Sequence, residues 1–119
     1  MFSIAKQFHF SASHIIEGVA EDHPCGRLHG HNYVVELVLE SERLDQVGFI
    51  VDYNELKPFG DLIDNELDHR HLNDVLPGST SAEAIAQYLY VKAKALWPQV
   101  CAVRVSETAK TWAEYRPAR

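Results

Sequence analysis

Three of the seven histidines in this chain, His14, His29 and His31, combine the residue type and the placement of a metal site. Zinc prefers imidazole and thiolate ligands, and a catalytic zinc is held by three protein side chains with a fourth position open to water or substrate. Iron(II) or another borderline divalent ion would accept the same donors. Cys25 lies just upstream of His29 and admits two readings. As a fourth ligand it would close the site and make the ion structural, leaving a non-catalytic zinc-stabilised assembly module. As a free thiolate beside an open site it would set a base next to a Lewis acid. Spacing alone does not separate the two.

Further groups carry acid-base potential. Asp68 and His69 are adjacent, and a carboxylate that orients an imidazole raises its basicity, as general acid-base catalysis requires. Glu107 continues the face of Val103 and Val105, so it aims a carboxylate where an apolar side chain is expected and calls for a partner with matching donors. His9 and His23 have no comparable placement and read as ordinary polar or loop histidines. Cys101 shares the alternation of Val103 and Val105 and reads as a small core hydrophobe. A Cys25-Cys101 bridge is not expected of a chain without an export signal in a reducing compartment.

These residues must be positioned by regular elements. A first strand runs from Phe2 to about Ser11, with Phe2, Ile4, Phe8 and Phe10 apolar on even positions and Lys6 breaking the pattern. A second strand places Tyr33, Val35, Leu37 and Leu39 on one face. Extending that parity backwards reaches His31 and His29, which then point to the core face about 7 Å apart along the strand. Residues 17–28, with Gly18, Pro24 and Gly26, form a loop that delivers Cys25. A helix is predicted from Asn54 to about Asp68 on the stripe Leu56, Phe59, Ile63, Leu67, with Pro58 tolerable in its first turn. A second helix begins at a capping box of Thr80 and Glu83, carries Ile85, Leu89, Ala93 and Leu96 as its apolar stripe, and stops at Pro98. Two closing strands, Val100 to Glu107 and Thr111 to Arg116, complete the order ββααββ. Strands at both ends with helices between argue for an α+β domain, a four-stranded antiparallel sheet covered on one face by two helices.

The bulk properties set the frame. No linker or repeat interrupts residues 1–119, so one domain is expected. Eleven Lys and Arg against seventeen Asp and Glu give a net charge of -6, and no basic cluster is available to neutralise phosphates, so nucleic acid is not an expected partner. No apolar run approaches the roughly 18 residues of a membrane span, and the N-terminus lacks a signal pattern; a cytoplasmic protein is expected. A domain this small exposes much of its surface, which makes a homo-oligomer with pockets between subunits the natural arrangement.

The segment CGRLHGHNY at 25–33, with His14 upstream, resembles the zinc motif of the 6-pyruvoyl-tetrahydropterin synthase family, which includes 6-carboxytetrahydropterin synthases. VDYNELK at 51–57, LDHRHLN at 67–73, TSAEAIA at 80–86 and SET at 106–108 continue the resemblance in order. It implies the tunnelling fold, trimeric barrels that stack into a hexamer, and zinc on His14, His29 and His31. It further implies Cys25 as catalytic base, Asp68 with His69 as the assisting pair, pocket contacts around Thr80 and Ser81, and Glu107 as anchor for the pterin. An amino-pyrimidinone offers two parallel N-H donors that a carboxylate accepts together. The implied reaction converts 7,8-dihydroneopterin triphosphate to 6-carboxy-5,6,7,8-tetrahydropterin, acetaldehyde and triphosphate, feeding queuosine synthesis. The nearest rival is a pyruvoyl-forming synthase, which eliminates triphosphate without shortening the side chain. The chain departs from the family pattern at Thr80, where proline is common, and at Ala84, where asparagine is.

Overall fold

In the computed structural model, which describes residues 1–118, β1 (Phe2–His14) and β2 (His29–Ser41) pair antiparallel from Phe2 opposite Ser41 to His14 opposite His29. Period-2 alternation holds along both. Phe10, Ala12 and His14 are buried on β1, and Tyr33, Val35, Leu37 and Leu39 on β2, while their neighbours are not. β1 is longer than its apolar positions suggest, since it continues past Ser11 to His14 through small residues that carry little hydrophobic signal.

Four helical segments follow β2 among the described residues, one of them the 3-10 turn Leu72–Asp74 just before the loop to the last helix. Tyr53–Leu56 is a single 3-10 turn whose N-cap, Asp52, accepts a hydrogen bond from the Asn54 N-H at 2.9 Å. α1 (Lys57–Glu66) continues it with Pro58 in the first turn, where a missing N-H costs nothing. The expected stripe is realised, because Leu56, Phe59, Ile63 and Leu67 are all essentially inaccessible to solvent. α2 (Ala82–Leu96) buries Ile85, Leu89 and Ala93, whereas Leu96 is left 47% exposed in the last turn. Its N-cap is Ser81, whose hydroxyl accepts from the Ala84 N-H at 3.2 Å. The cap therefore sits one residue later than the Thr80 capping box, because Thr80 is buried and engaged elsewhere.

Between the helices, Arg70–His71 forms the short strand β3, parallel to β1 at Ala12 and Ser13. With β4 (Val100–Thr108) beside β2 and β5 (Thr111–Tyr115) beside β4, the order is β3-β1-β2-β4-β5. Among the described residues the sheet is thus five-stranded and mixed, rather than four-stranded and antiparallel. A two-residue strand is too short for alternation to reveal it. The helices cover one face, α2 against β4 and β5, and Phe59 of α1 meets Phe8 edge-on with ring centroids 5.1 Å apart. Among the described residues no helix is long and apolar enough to cross a membrane.

β4 departs from strict alternation. Val38 pairs with Ala102 and Leu39 with Val100, so Cys101 is bulged out of the ladder. Cys101 is only half-buried, 3.5 Å from the Val38 carbonyl oxygen, and does not share the buried face of Val103 and Val105. Both cysteines are free thiols.

Phe59 joins the helix layer to β1, so Phe59→Ala is expected to cost about 3–5 kcal/mol of folding stability. Urea unfolding measures this, and a loss below about 1 kcal/mol would contradict a rigidly packed helix layer.

Candidate metal centre

The hairpin register builds the site. His14 lies directly opposite His29, and His31 lies opposite Ala12. Because side chains alternate across a strand, all three imidazoles emerge on the buried face at one end of the sheet. Their ring centroids are 4.5, 5.1 and 4.9 Å apart, each pair close to edge-on. One nitrogen from each ring and a carboxylate oxygen of Glu107 all lie within 4.8 Å of one another.

Backbone carbonyls decide which nitrogens face inward. His14 Nδ1 is 2.8 Å from the Thr80 carbonyl oxygen, and His29 Nδ1 is 2.7 Å from that of Arg27. A carbonyl only accepts, so each Nδ1 carries the proton and each Nε2 keeps a lone pair. These two Nε2 atoms approach to 2.9 Å. Facing lone pairs repel unless a shared cation lies among them, and carbonyl-oriented imidazoles are the usual arrangement around metals. His31 Nε2 is buried without a hydrogen-bond partner, though 2.8 Å from Glu107 Oε2. Burial holds the His14 pKa below its ordinary 6.5, against the opposing pull of the Thr80 carbonyl. That favours the neutral ring, which is the ligating form. The donor set fits a divalent cation of the borderline class.

Two further residues, Gly30 and Tyr33, shape this centre without being ligand candidates. A Cβ at Gly30 would come within 3.1 Å of the Ala12 carbonyl oxygen, so the residue between the two histidines lies against the β1 backbone. Tyr33 is fully buried, stacks on Phe10 at 4.6 Å and brings its hydroxyl to 3.4 Å from His14 Nδ1. Desolvation raises its phenol far above the ordinary value and keeps it neutral. The H-G-H-x-Y pattern is the signal that marks both.

Cys25 lies in a 3-10 turn, Pro24–Gly26, half-buried, with its carbonyl accepting from the Ile16 N-H at 2.9 Å and its own N-H donating to His23 Nδ1 at 3.0 Å. Its sulfur is not part of the donor group, whose fourth member is Glu107. The closed set of Cys25 with the three histidines is therefore not formed. Glu107 does point to the core face, as its parity with Val105 suggests, yet its partners are imidazoles.

Asp68 and His69 stand apart from the metal group. The Ser11 N-H donates to Asp68 Oδ1 at 2.9 Å, and His69 Nδ1 lies 2.8 Å from Asp68 Oδ2. His69 adopts a left-handed backbone with φ 57° and donates its own N-H to the Ser11 carbonyl at 2.6 Å. A non-glycine residue in that region is uncommon and often marks a functional position. Its side chain is 82% exposed and borders an open cleft of about 480 Å³ shared with His31, Arg70 and His71. His71 pairs with Ser13 Oγ at 2.9 Å. Thr80 is buried and its hydroxyl donates to the Ile15 carbonyl at 3.3 Å, while the Ser81 hydroxyl is occupied in capping α2.

Asp68 has a depressed pKa, first through the Ser11 N-H and then through His69. A carboxyl whose folded pKa is lowered stabilises the fold above its unfolded pKa, and that contribution disappears as pH falls from about 3.8 through the depressed value. Thermal melts of Asp68→Asn are therefore expected to flatten on acidification below pH 4 relative to the native chain. Parallel curves would contradict this.

A model of the 6-pyruvoyl tetrahydropterin synthase family matches residues 3–118. Over 122 aligned residues the chain is 36% identical to the 6-carboxy-5,6,7,8-tetrahydropterin synthase of Synechocystis sp., covering 97% of this chain and 93% of that protein. Against the Bacillus subtilis protein of the same name it is 30% identical over 131 residues, with 99% and 87% coverage. The fold is shared with the Caenorhabditis elegans 6-pyruvoyl tetrahydropterin synthase, with a TM-score of 0.86, 24% identity, and 98% and 96% coverage. The matched span takes in every residue of the site from His14 to Glu107, and with these near-full-length relatives it places the chain in the 6-pyruvoyl tetrahydropterin synthase family.

Proposed function

We propose that this chain is a zinc-dependent carbon-carbon lyase of the cytoplasm. It converts 7,8-dihydroneopterin triphosphate to 6-carboxy-5,6,7,8-tetrahydropterin, acetaldehyde and triphosphate, a step toward queuosine. The observation that carries this reading is the convergence of three imidazoles, two with their inward lone pairs set by backbone carbonyls, at the buried end of one hairpin. The names of the Synechocystis and Bacillus relatives support the carboxy product over the pyruvoyl one.

His14, His29 and His31 would hold zinc, which when bound supplies Lewis acidity toward the side-chain hydroxyls of the substrate. Cys25 accepts a proton from the reacting side chain, its turn tied down by the Ile16 and His23 hydrogen bonds. Asp68 fixes the proton of His69 on Nδ1, which leaves His69 Nε2 free to accept or return a proton. Glu107 receives the two parallel N-H donors of the pterin. Thr80 and Ser81 contribute by holding His14 and the start of α2.

A His69 ring this exposed calls for a second wall. The edge strands β3 and β5 offer unpaired backbone to neighbouring copies, and a hexamer built as a dimer of trimers would supply that wall.

The deciding experiment incubates zinc-loaded protein with 7,8-dihydroneopterin triphosphate and assays both acetaldehyde and triphosphate. Equal release of the two is expected. Triphosphate without aldehyde would turn the assignment to the pyruvoyl-forming synthase, and neither product would leave the non-catalytic assembly module.

A further inference from the structure

A pterin anchor needs only to face the substrate, yet Glu107 faces the metal donors. Its Oε2 is 2.8 Å from His31 Nε2 and 3.7 Å from His14 Nε2, with the side chain 26% exposed. Among the described residues these imidazoles are its ion-pair partners, and no lysine or arginine shares it. Arg104, on the same strand, is committed to Glu36 at 3.1 Å and Glu114 at 3.8 Å. His14 presents a lone pair toward this oxygen, because its proton is held on Nδ1 by Thr80. The His14 lone pair offers this carboxylate nothing, and its place beside two imidazoles becomes more favourable when a divalent cation lies among the four donors.

The pairing of β4 is irregular around this carboxylate. Pairing of β4 with β2 ends at Ser106 opposite Val34, one residue before Glu107. Pairing with β5 is interrupted after Val105 and resumes at Thr108 opposite Thr111. Glu107 thus lies in a stretch where the ladder is broken on both sides.

We infer that Glu107 has two positions. In the substrate-free protein it is a fourth ligand of the ion held by His14, His29 and His31, and an arriving pterin draws it away to the ring's N-H donors. This rests on the pterin-lyase reading. Its chemical consequence follows from charge. A divalent ion with one carboxylate leaves a net charge of about +1, and the same ion with three neutral imidazoles leaves about +2. Departure of Glu107 therefore frees a coordination place and strengthens the Lewis acid in one movement. One carboxylate couples recognition of the ring to activation of the centre, and the idle site stays closed to water.

The test measures metal binding directly. Zinc affinity is determined by competition with a chromophoric chelator for the native chain, Glu107→Ala, the near-isosteric Glu107→Gln and His31→Ala. The cobalt(II) forms of the native and Glu107 chains are then titrated with 2-amino-4-oxopteridine, which has no phosphate. Loss of the carboxylate is expected to weaken zinc binding roughly ten- to a hundredfold, comparable to removal of other groups that support metal ligands. The pterin is expected to shift the visible bands of the native cobalt protein and to leave those of Glu107→Ala unchanged. Equal zinc affinity in the native and both Glu107 chains, or a native cobalt spectrum indifferent to pterin, would overturn the inference. If His31→Ala still loses zinc in that case, the metal centre stands without a Glu107 ligand. A native chain that takes up no zinc would remove the metal reading itself.

Discussion

Replacing His31 with alanine is expected to abolish stoichiometric zinc and to lower turnover by about a thousandfold or more, while the fold survives. The Lewis acid of such a centre is worth several kcal/mol of barrier, and about 4 kcal/mol corresponds to roughly three orders of magnitude. His31 is the informative position because its side chain is 20% exposed, whereas His14 is fully buried and bonded to Thr80. Truncation at His31 removes a donor without opening a cavity in the core. Elemental analysis of the purified chain and the acetaldehyde assay read the two halves of the result. Full zinc content with turnover within tenfold of the native chain would refute a three-histidine centre.

Cys25→Ala is expected to behave in the opposite way toward the metal: zinc stays, the melting temperature stays, and turnover falls by about 10² to 10⁴, the usual contribution of a positioned proton-transfer group. The turn carrying Cys25 is held by backbone bonds, Ile16 N-H to the Cys25 carbonyl and Gly26 N-H to the His23 carbonyl, none of which needs the sulfur. Glu107, not Cys25, completes the donor group. Cys101→Ala is the matched control. Burial, followed by the charge of Glu40, pushes that thiol up to about 11, so it stays protonated near neutral pH and its loss should leave turnover near native. Zinc loss in Cys25→Ala would make the sulfur a ligand after all, and native turnover would end its role as base.

Much of the scaffold follows from local periodicity. Alternation along β2 put Tyr33, Val35, Leu37 and Leu39 on the buried face, and the same parity carried His29 and His31 there with them. The stripe from Leu56 to Leu67 marked α1 in the same way. Such patterns are legible because side-chain direction repeats with the backbone, so each element records in its own residues which face meets the core.

What depends on two distant segments meeting is not written in either one. That β1 reaches His14 and sets it across from His29 is a matter of register, which the burial of the whole hairpin determines. β3 exists because the chain leaving α1 lies beside β1, and Cys101 leaves its expected face because β4 carries it as an extra residue opposite Val38 and Leu39 of β2. Thr80, marked in the sequence as a helix cap, is needed instead under His14, where its carbonyl orients the ring, and capping passes to Ser81. The donor types of the site were thus readable one residue at a time, whereas their inward nitrogens and the approach of Glu107 arise only when strands and helix ends pack together and unpaired buried polar groups must find partners.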